Sequence, residues 1–259
     1  CSSDLCARPP SPCRDRARKS LFALDPDKGT VVWRTQDPKA NYLATPSAPA
    51  CGEGMVIGSS FWVGLFGYDA KTGKEIWKHT RNNSPVTEEW YRSGIPWIER
   101  LGFPVFNDGK LYLTSDREFL EVDPHTGVPI RRKKFPFSVN CYTKPLFTGG
   151  RVYFGSQREG LICFDLKKFD LVWKAPVEEA MLVALHYQYP PIKSLSSCPV
   201  LWKGLVWATC QDGALYAWDP LTGEREQRIF TGAPYIASAT VDGDRLYTAD
   251  FTGRVRCFA

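Results

Sequence analysis

Short apolar runs separated by polar turns recur along most of this 259-residue chain, and five of the runs end in an aspartate that opens a turn. The aspartates are Asp25, Asp69, Asp123, Asp165 and Asp219, at spacings of 44, 54, 42 and 54 residues. The runs are short and rich in Val, Leu, Phe, Tyr and Trp, which indicates β-strands. A strand-only repeat of this period predicts the blades of a β-propeller.

The turn after each aspartate has its own chemistry. In the segment LFGYDAKTGKEIW, the Asp69 carboxylate can accept hydrogen bonds from the Thr72 hydroxyl and from nearby backbone N–H groups, which predicts an Asx-type turn. Gly73 can take the positive φ that such a turn needs. The segment after Asp165 lacks this glycine, so we expect another turn type there.

The strands upstream of each aspartate define the blades. A proline-bearing strand and a Gly-containing turn come before a second strand in each repeat, and apolar or small residues dominate, as expected for strands covered on both faces. The sequence therefore predicts an all-β propeller of four-stranded antiparallel blades, four complete and two partial. The complete blades are predicted at 44–80, 101–136, 142–176 and 196–230, with a two-stranded hairpin at 19–35 and three strands in 236–259.

The segment LFGYDAKTGKEIW resembles the tryptophan-docking repeat of the pyrroloquinoline-quinone-type β-propellers, and the resemblance covers residues 19–259. In that family a tryptophan on the outermost strand packs against the turn of the adjacent blade. The resemblance implies that role for Trp33, Trp77 and Trp173. Arg131 and Gln227 occupy the same position in two other blades, so looser joints are expected there. The implied docking residues are Asp25, Trp33, Asp69, Gly73, Trp77, Asp165 and Trp173.

The two ends of the sequence lead to an expectation about ring closure. Residues 1–18 contain a Pro/Arg-rich stretch without strand pattern, and 1–5 resemble the translated end of a sequencing adapter. We interpret 1–18 as a non-native or disordered leader on a truncated chain, with a genuine basic arm as the alternative. Propellers close when one end of the chain completes a blade begun by the other. Here the hairpin would add one strand too many to 236–259, so we expect further strands upstream in a seven- or eight-bladed ring, and this chain to form an open arc or a strained ring whose ends meet imperfectly.

Charge argues against a nucleic-acid partner. The chain has 33 Lys and Arg against 28 Asp and Glu, a net charge of +5. Without residues 1–19 the balance is 28 against 26, or +2. The one basic run, 131–134, falls on an outer strand, where charges protect a sheet edge. We therefore expect neither nucleic-acid binding nor, since no long apolar run occurs, direct membrane insertion.

No cofactor, metal or catalytic residue is predicted. The nine cysteines include no CxxC pair and no cluster with histidine. Cys163 and Cys257 each lie two positions before an aspartate site or its equivalent, which favours small, buried, unpaired residues. Quinoprotein dehydrogenases, by the same resemblance, carry an adjacent Cys-Cys pair and a calcium site. This chain has no Cys-Cys, and its hub-facing strands offer almost no carboxylates for calcium.

The face that carries the long loops is the candidate binding surface. Two connections, 81–100 and 177–194, are longer than a propeller needs and rich in aromatic residues, and VEEAMLVAL after Pro176 predicts a short helix. Aromatics beside Arg and Gln on loops favour recognition. The alternative is that these aromatics fold over the hub and plug it. The candidates are Phe61, Trp62, Trp90, Tyr91, Trp97, Arg117, Gln157, Arg158, His186, Tyr187 and Gln211.

These features favour a non-enzymatic binding or scaffolding propeller that recognises a protein, peptide or glycan on its loop face. The alternative hypothesis is an accessory propeller fused to an upstream catalytic domain such as a metallophosphoesterase. The quinoprotein dehydrogenase hypothesis is the weakest, for the reasons above. The family resemblance implies a periplasmic or extracellular bacterial protein, and a shared repeat by itself shows a shared fold rather than a shared activity.

Overall fold

A computed structural model describes residues 21–35, 48–60, 64–80, 102–115, 117–139, 143–181 and 192–259. These residues form twenty-one strands and no helix. The front hairpin is β1 (Phe22–Leu24) and β2 (Val31–Arg34). Blade 1 is β3 (Ala50–Gly52), β4 (Met55–Ser60), β5 (Gly64–Asp69) and β6 (Glu75–Thr80), and blade 2 is β7 (Val105–Asn107), β8 (Lys110–Thr114), β9 (Glu118–Val122) and β10 (Pro129–Lys134).

The remaining strands complete the pattern. Blade 3 is β11 (Leu146–Thr148), β12 (Arg151–Ser156), β13 (Gly160–Asp165) and β14 (Asp170–Ala175). Blade 4 is β15 (Val200–Trp202), β16 (Leu205–Thr209), β17 (Ala214–Trp218) and β18 (Arg225–Phe230). The last sheet is β19 (Thr240–Asp242), β20 (Arg245–Ala249) and β21 (Val255–Phe258). Four complete blades and two partial ones confirm the predicted all-β fold.

Every sheet is an antiparallel meander in which each strand pairs with its neighbour in sequence. Between successive sheets lies a hydrophobic cluster. In one, Leu65 and Trp77 of blade 1 meet Leu111 and Leu120 of blade 2. Further clusters join blade 2 to blade 3, blade 3 to blade 4, and blade 4 to the last sheet. The core is therefore a series of blade-to-blade interfaces, because each blade buries the two faces of its sheet against its neighbours.

The aspartate turns form as the sequence predicts. The Asp69 carboxylate accepts bonds from the Thr72 hydroxyl at 2.7 Å and from the Thr72 N–H at 2.8 Å, and Gly73 has φ 68°. These bonds lower the pKa of Asp69, with the Thr72 hydroxyl as the largest cause. The turn after Asp165 is not of another type, because its carboxylate accepts from the N–H groups of Lys167 and Lys168. Phe169 takes the positive φ there, at 55°.

Three tryptophans dock on the turn of the next blade. The Trp33 indole N–H donates to Ala70 O at 3.0 Å, and the Trp77 indole N–H donates to Pro124 O at 2.9 Å. Each indole also lies over the glycine of that turn. A Cβ added to that glycine would lie 2.5–2.6 Å from the indole ring. Trp173 covers Gly223 in the same way. Each of these three tryptophans thus contacts the turn of the following blade, and their docking role stays a prediction.

At the joint between blades 2 and 3, Arg131 makes several contacts with the turn of the next blade. The Arg131 guanidinium lies 4.2 Å from the centroid of the Phe169 ring and donates to Leu166 O at 3.3 Å. It also bonds Glu121, which is only 3% exposed. At the tryptophan joints the aromatic ring is on the strand and lies over a glycine of the turn. Here the aromatic ring, Phe169, is on the turn, and the strand carries Arg131. The expectation of a looser joint at Arg131 does not fit these contacts. Gln227, at the same position in blade 4, is exposed.

The front hairpin and the last sheet are not paired in the part of the chain that the structure describes. Strand β2 pairs with β1, and β21 pairs with β20. The hairpin instead reaches blade 1 through Trp33. Among the described residues β21 is an edge strand, and Cys257 on it is exposed, contrary to the expectation that it is a buried core residue, whereas Cys163 is buried. The number of blades in a complete ring stays a prediction.

Candidate functional site

The loop face is formed by the turns between the second and third strands of each blade and by the connections from one blade to the next. Of the predicted binding residues, four lie in the described ranges. Arg117 and Arg158 are exposed, Gln157 is half-buried, and Gln211 is buried at 2% exposure. The other predicted binding residues lie outside the described ranges: Phe61, Trp62, Trp90, Tyr91, Trp97, His186 and Tyr187.

Gln211 is covered by the second long connection and is therefore no surface contact. The Met181 N–H donates to Gln211 O at 3.0 Å, and the Ala180 N–H donates to Ile192 O at 3.2 Å. Residues 177–181 form no helix, so the helix predicted from VEEAMLVAL is absent over this half of it. Sequence pattern could not place Gln211, because its burial depends on a segment about 30 residues upstream folding back over it.

The same connection is clamped at its far end. The Leu195 N–H donates to Ser156 O at 3.0 Å, and the Cys210 thiol donates to Ser194 O at 3.3 Å. Leu195 is fully buried in the cluster between blades 3 and 4. Both ends of the long loop are thus fixed on the loop face, as the plug alternative requires. Whether its middle covers the hub concerns residues outside the described ranges.

We expect Gly155→Ala to loosen this clamp. A Cβ at Gly155 would lie well inside contact distance of the Leu195 carbonyl oxygen, so the backbone of 192–198 must shift. The expected loss is about 1–2 kcal/mol in the free energy of unfolding, with faster amide hydrogen exchange at Leu195. Gly58→Ala is the control, because nothing lies within 4 Å of a Cβ built there. Equal hydrogen exchange at Leu195 in both variants would contradict the clamp.

An exposed apolar patch lies on the loop face beside this connection. Its members are Met181, Phe230 and Phe251, exposed by 55%, 57% and 62%. Met181 and Phe230 meet over Gly213, where an added Cβ would be 2.8 Å from the Met181 sulfur and 3.2 Å from the Phe230 ring. The Phe251 N–H donates to Pro234 O at 2.9 Å, which holds this turn against the segment that follows Phe230. Exposed groups of large apolar residues mark interaction sites.

Sequence reasoning missed this loop-face patch. Phe230 reads as the last residue of an outer strand, and Phe251 reads as part of a turn. The sequence does contain a signal of exposure. Both phenylalanines directly precede a Thr-Gly pair that indicates a turn, where a core residue is not expected. The proximity of Phe230 to Met181 arises only when the connection folds onto blade 4.

A polar cluster of the buried residues Asp212 and Tyr216 and the partly exposed Arg228 lies next to the loop-face patch. The Tyr216 hydroxyl donates to Asp212, and Arg228 donates to the Tyr216 oxygen at 3.1 Å and to Asp212 at 3.3 Å. The Arg228 guanidinium lies 5.4 Å from the centroid of the Phe230 ring. Burial is the largest cause that raises the pKa of Tyr216, and the bond to Asp212 raises it further. The cluster therefore places the Arg228 cation beside the Phe230 ring and favours the protonated form of Tyr216.

The described lining of the hub does not fit a quinone cofactor with its calcium ion. A cavity of about 390 Å³ lies among the innermost strands of the blades, and Lys144 is the one charged residue among the described residues that line it. Calcium needs several oxygen ligands, usually including carboxylates, and none of these described lining residues carries a carboxylate. Among the described residues, no three His, Cys, Asp or Glu side chains are grouped to hold a metal ion. No helix of the described part could cross a bilayer.

Comparisons with known proteins agree with this architecture. A family model with the description "Outer membrane protein assembly factor BamB" matches residues 13–174. The crystal structure of BamB from Moraxella catarrhalis is similar to this chain, with a TM-score of 0.64 at 16% sequence identity. The match covers 92% of this chain and 69% of that chain. At such low identity the likeness shows the fold alone. The search of curated proteins gave no match.

Proposed function

The chain belongs to the family of the outer membrane protein assembly factor BamB, a family of pyrroloquinoline-quinone-type propellers, and on that premise we propose that it is a protein-binding scaffold in the assembly of outer membrane proteins. It binds a protein partner through the loop face and catalyses no reaction. Its place in the cell is the periplasmic side of the outer membrane, as the description of the family suggests.

The observation that carries this proposal is the loop-face patch. Met181, Phe230 and Phe251 expose large apolar side chains, and the Arg228 guanidinium, which bonds Asp212 and Tyr216, lies 5.4 Å from the centroid of the Phe230 ring. Large apolar side chains beside an arginine are typical of interface hot spots. A protein partner suits such a surface better than a glycan, because the patch itself exposes few polar groups. The exposed residues Arg117 and Arg158 are further candidate contacts on the same face.

Site-specific photocrosslinking tests the proposal in the organism that makes the protein. A benzophenone amino acid placed at Phe230 or Phe251 should give one discrete crosslinked product that contains a protein of outer membrane assembly, identified by mass spectrometry. The matched control is Ile76, which is 50% exposed on the outer strand β6 and away from the loop face. If Phe230 gave no product, or if Ile76 gave the same one, the proposed binding face would be wrong.

A further inference from the structure

A positively charged cleft runs along the rim between blades 3 and 4, outside the loop-face patch. Its volume is about 400 Å³. Three cations line it, Lys174, Lys193 and Arg225, against one carboxylate, Glu178. The Lys174 ammonium is engaged on the side of blade 2, where it pairs with Glu159 and lies 4.4 Å from the centroid of the Phe137 ring, whereas Arg225 lies 3.8 Å from Glu178 in an exposed pair. Exposed pairs of this kind contribute little and exchange readily for other partners.

The joint beneath this cleft has more hydrogen-bond donors than acceptors. At the other two tryptophan joints the indole donates to the carbonyl directly after the turn aspartate. In blade 4 the equivalent carbonyl is Pro220 O, and it already accepts from Arg151 at 2.7 Å and from the Tyr153 hydroxyl at 3.0 Å. The Trp173 indole N–H consequently has no acceptor among the described residues.

A second indole N–H at this joint also lacks an acceptor. Trp218 lines the cleft and is fully buried, and its N–H also has no acceptor in the described part of the chain. Buried polar groups in folded proteins nearly always find a partner, and an exception calls for an explanation. The Trp218 donor in the lining, beside Lys193 and Arg225, gives the cleft a local positive potential that an acceptor-rich ligand would satisfy.

We propose that this rim cleft binds the carboxylates of an acidic, extended segment of a protein partner. The assignment of the ligand to a protein rests on the proposed scaffold function. Carboxylates supply negative charge opposite Lys193 and Arg225 and an acceptor oxygen for the Trp218 indole N–H of the lining. The exposed Pro176 ring in the lining suits the aliphatic stems of Glu side chains. A nucleic acid fits less well, because the only aromatic residue of the lining, Trp218, is buried and offers no face for base stacking.

Titration with a blocked hexaglutamate peptide tests this directly. We expect binding that Lys193→Glu and Arg225→Glu each weaken about tenfold, because each reverses a charge at the cleft. Lys167→Glu is the matched control, since it makes the same charge change on an exposed residue at the other end of blade 3. In ¹⁵N-tryptophan-labelled protein, the indole N–H resonance of Trp173 or Trp218 should shift on binding. Those of Trp33 and Trp77, which already have acceptors, should not.

The proposal fails if the resonances of both Trp173 and Trp218 stay in place, if Lys167→Glu weakens binding as much as Lys193→Glu, or if hexaglutamine binds equally well. It also fails if inorganic phosphate displaces the peptide at equal concentration and shifts the same resonances, because the cleft would then be a site for small anions. Crosslinking from Phe230 does not involve this cleft. The proposed function and the acidic ligand can therefore fail independently.

Discussion

Replacing Trp77 with alanine should destabilise the protein by about 3–5 kcal/mol, because a large buried ring is lost and a cavity is left between two blades. Trp77 is 9% exposed and belongs to the cluster that joins blades 1 and 2. Its ring lies over Gly127, its indole N–H bonds Pro124 O, and His79 stacks on it with ring centroids 5.2 Å apart. The single substitution therefore removes apolar burial, a buried hydrogen bond and a ring contact together.

Chemical denaturation measures this loss, with Ile76→Ala as its control. Ile76 precedes Trp77 on β6 but is 50% exposed, so its truncation should cost well under 1 kcal/mol. Equal losses from the two substitutions would mean that Trp77 does not dock blade 1 on blade 2. An unchanged dependence on denaturant concentration would show that the variants unfold the same surface as the parent protein.

Arg131→Ala should cost about 2–4 kcal/mol at neutral pH, which is more than the sequence suggests for this joint. The substitution leaves Glu121 buried with only Lys110 as its ionic partner, and an uncompensated buried charge is expensive. It also removes the guanidinium from the Phe169 ring. Lys133→Ala is the control, because Lys133 and its partner Asp170 are both largely exposed, and it should change stability by less than about 0.5 kcal/mol.

The pH dependence of this loss identifies its cause. Burial alone would raise the pKa of Glu121, but the bonds from Arg131 and Lys110 lower it below its usual value. A lowered folded-state pKa contributes stability above the unfolded-state pKa and loses it as pH falls through the folded-state value. The difference between Arg131→Ala and the parent protein should therefore shrink in acid. A loss that stayed constant from pH 7 to about pH 3 would assign the effect to packing on Phe169 instead.

The parts of the fold that the sequence predicts are those set by local chemistry. The turn after Asp69 needs only a carboxylate, a hydroxyl three residues later and a glycine one residue beyond it, so the motif reports it directly. The number of blades follows from the number of these turns, because each turn comes after the third strand of a blade. Trp33, Trp77 and Trp173 stand at a fixed distance from their aspartates, which made their docking role recognisable.

The features that the sequence does not predict all depend on contacts between distant segments. Phe169 lies 38 residues after Arg131, and nothing local to either residue indicates that one stacks on the other. Gln211 is polar and lies in a turn, which favours exposure, but Met181 and its neighbours cover it. The loop-face patch likewise combines residues from three separate loops. In each of these places, contacts between distant segments determine the environment of the residue, and the local sequence pattern does not indicate it.

The exchange of residue types at the Arg131 joint has an evolutionary consequence. A Trp at position 131 would meet Phe169 where the other joints offer a glycine, and a Gly at position 169 would leave Arg131 without a ring to cover. Either single change removes a contact of this joint, whereas the two together give the residue types of the neighbouring joints. The two positions should therefore covary among homologues.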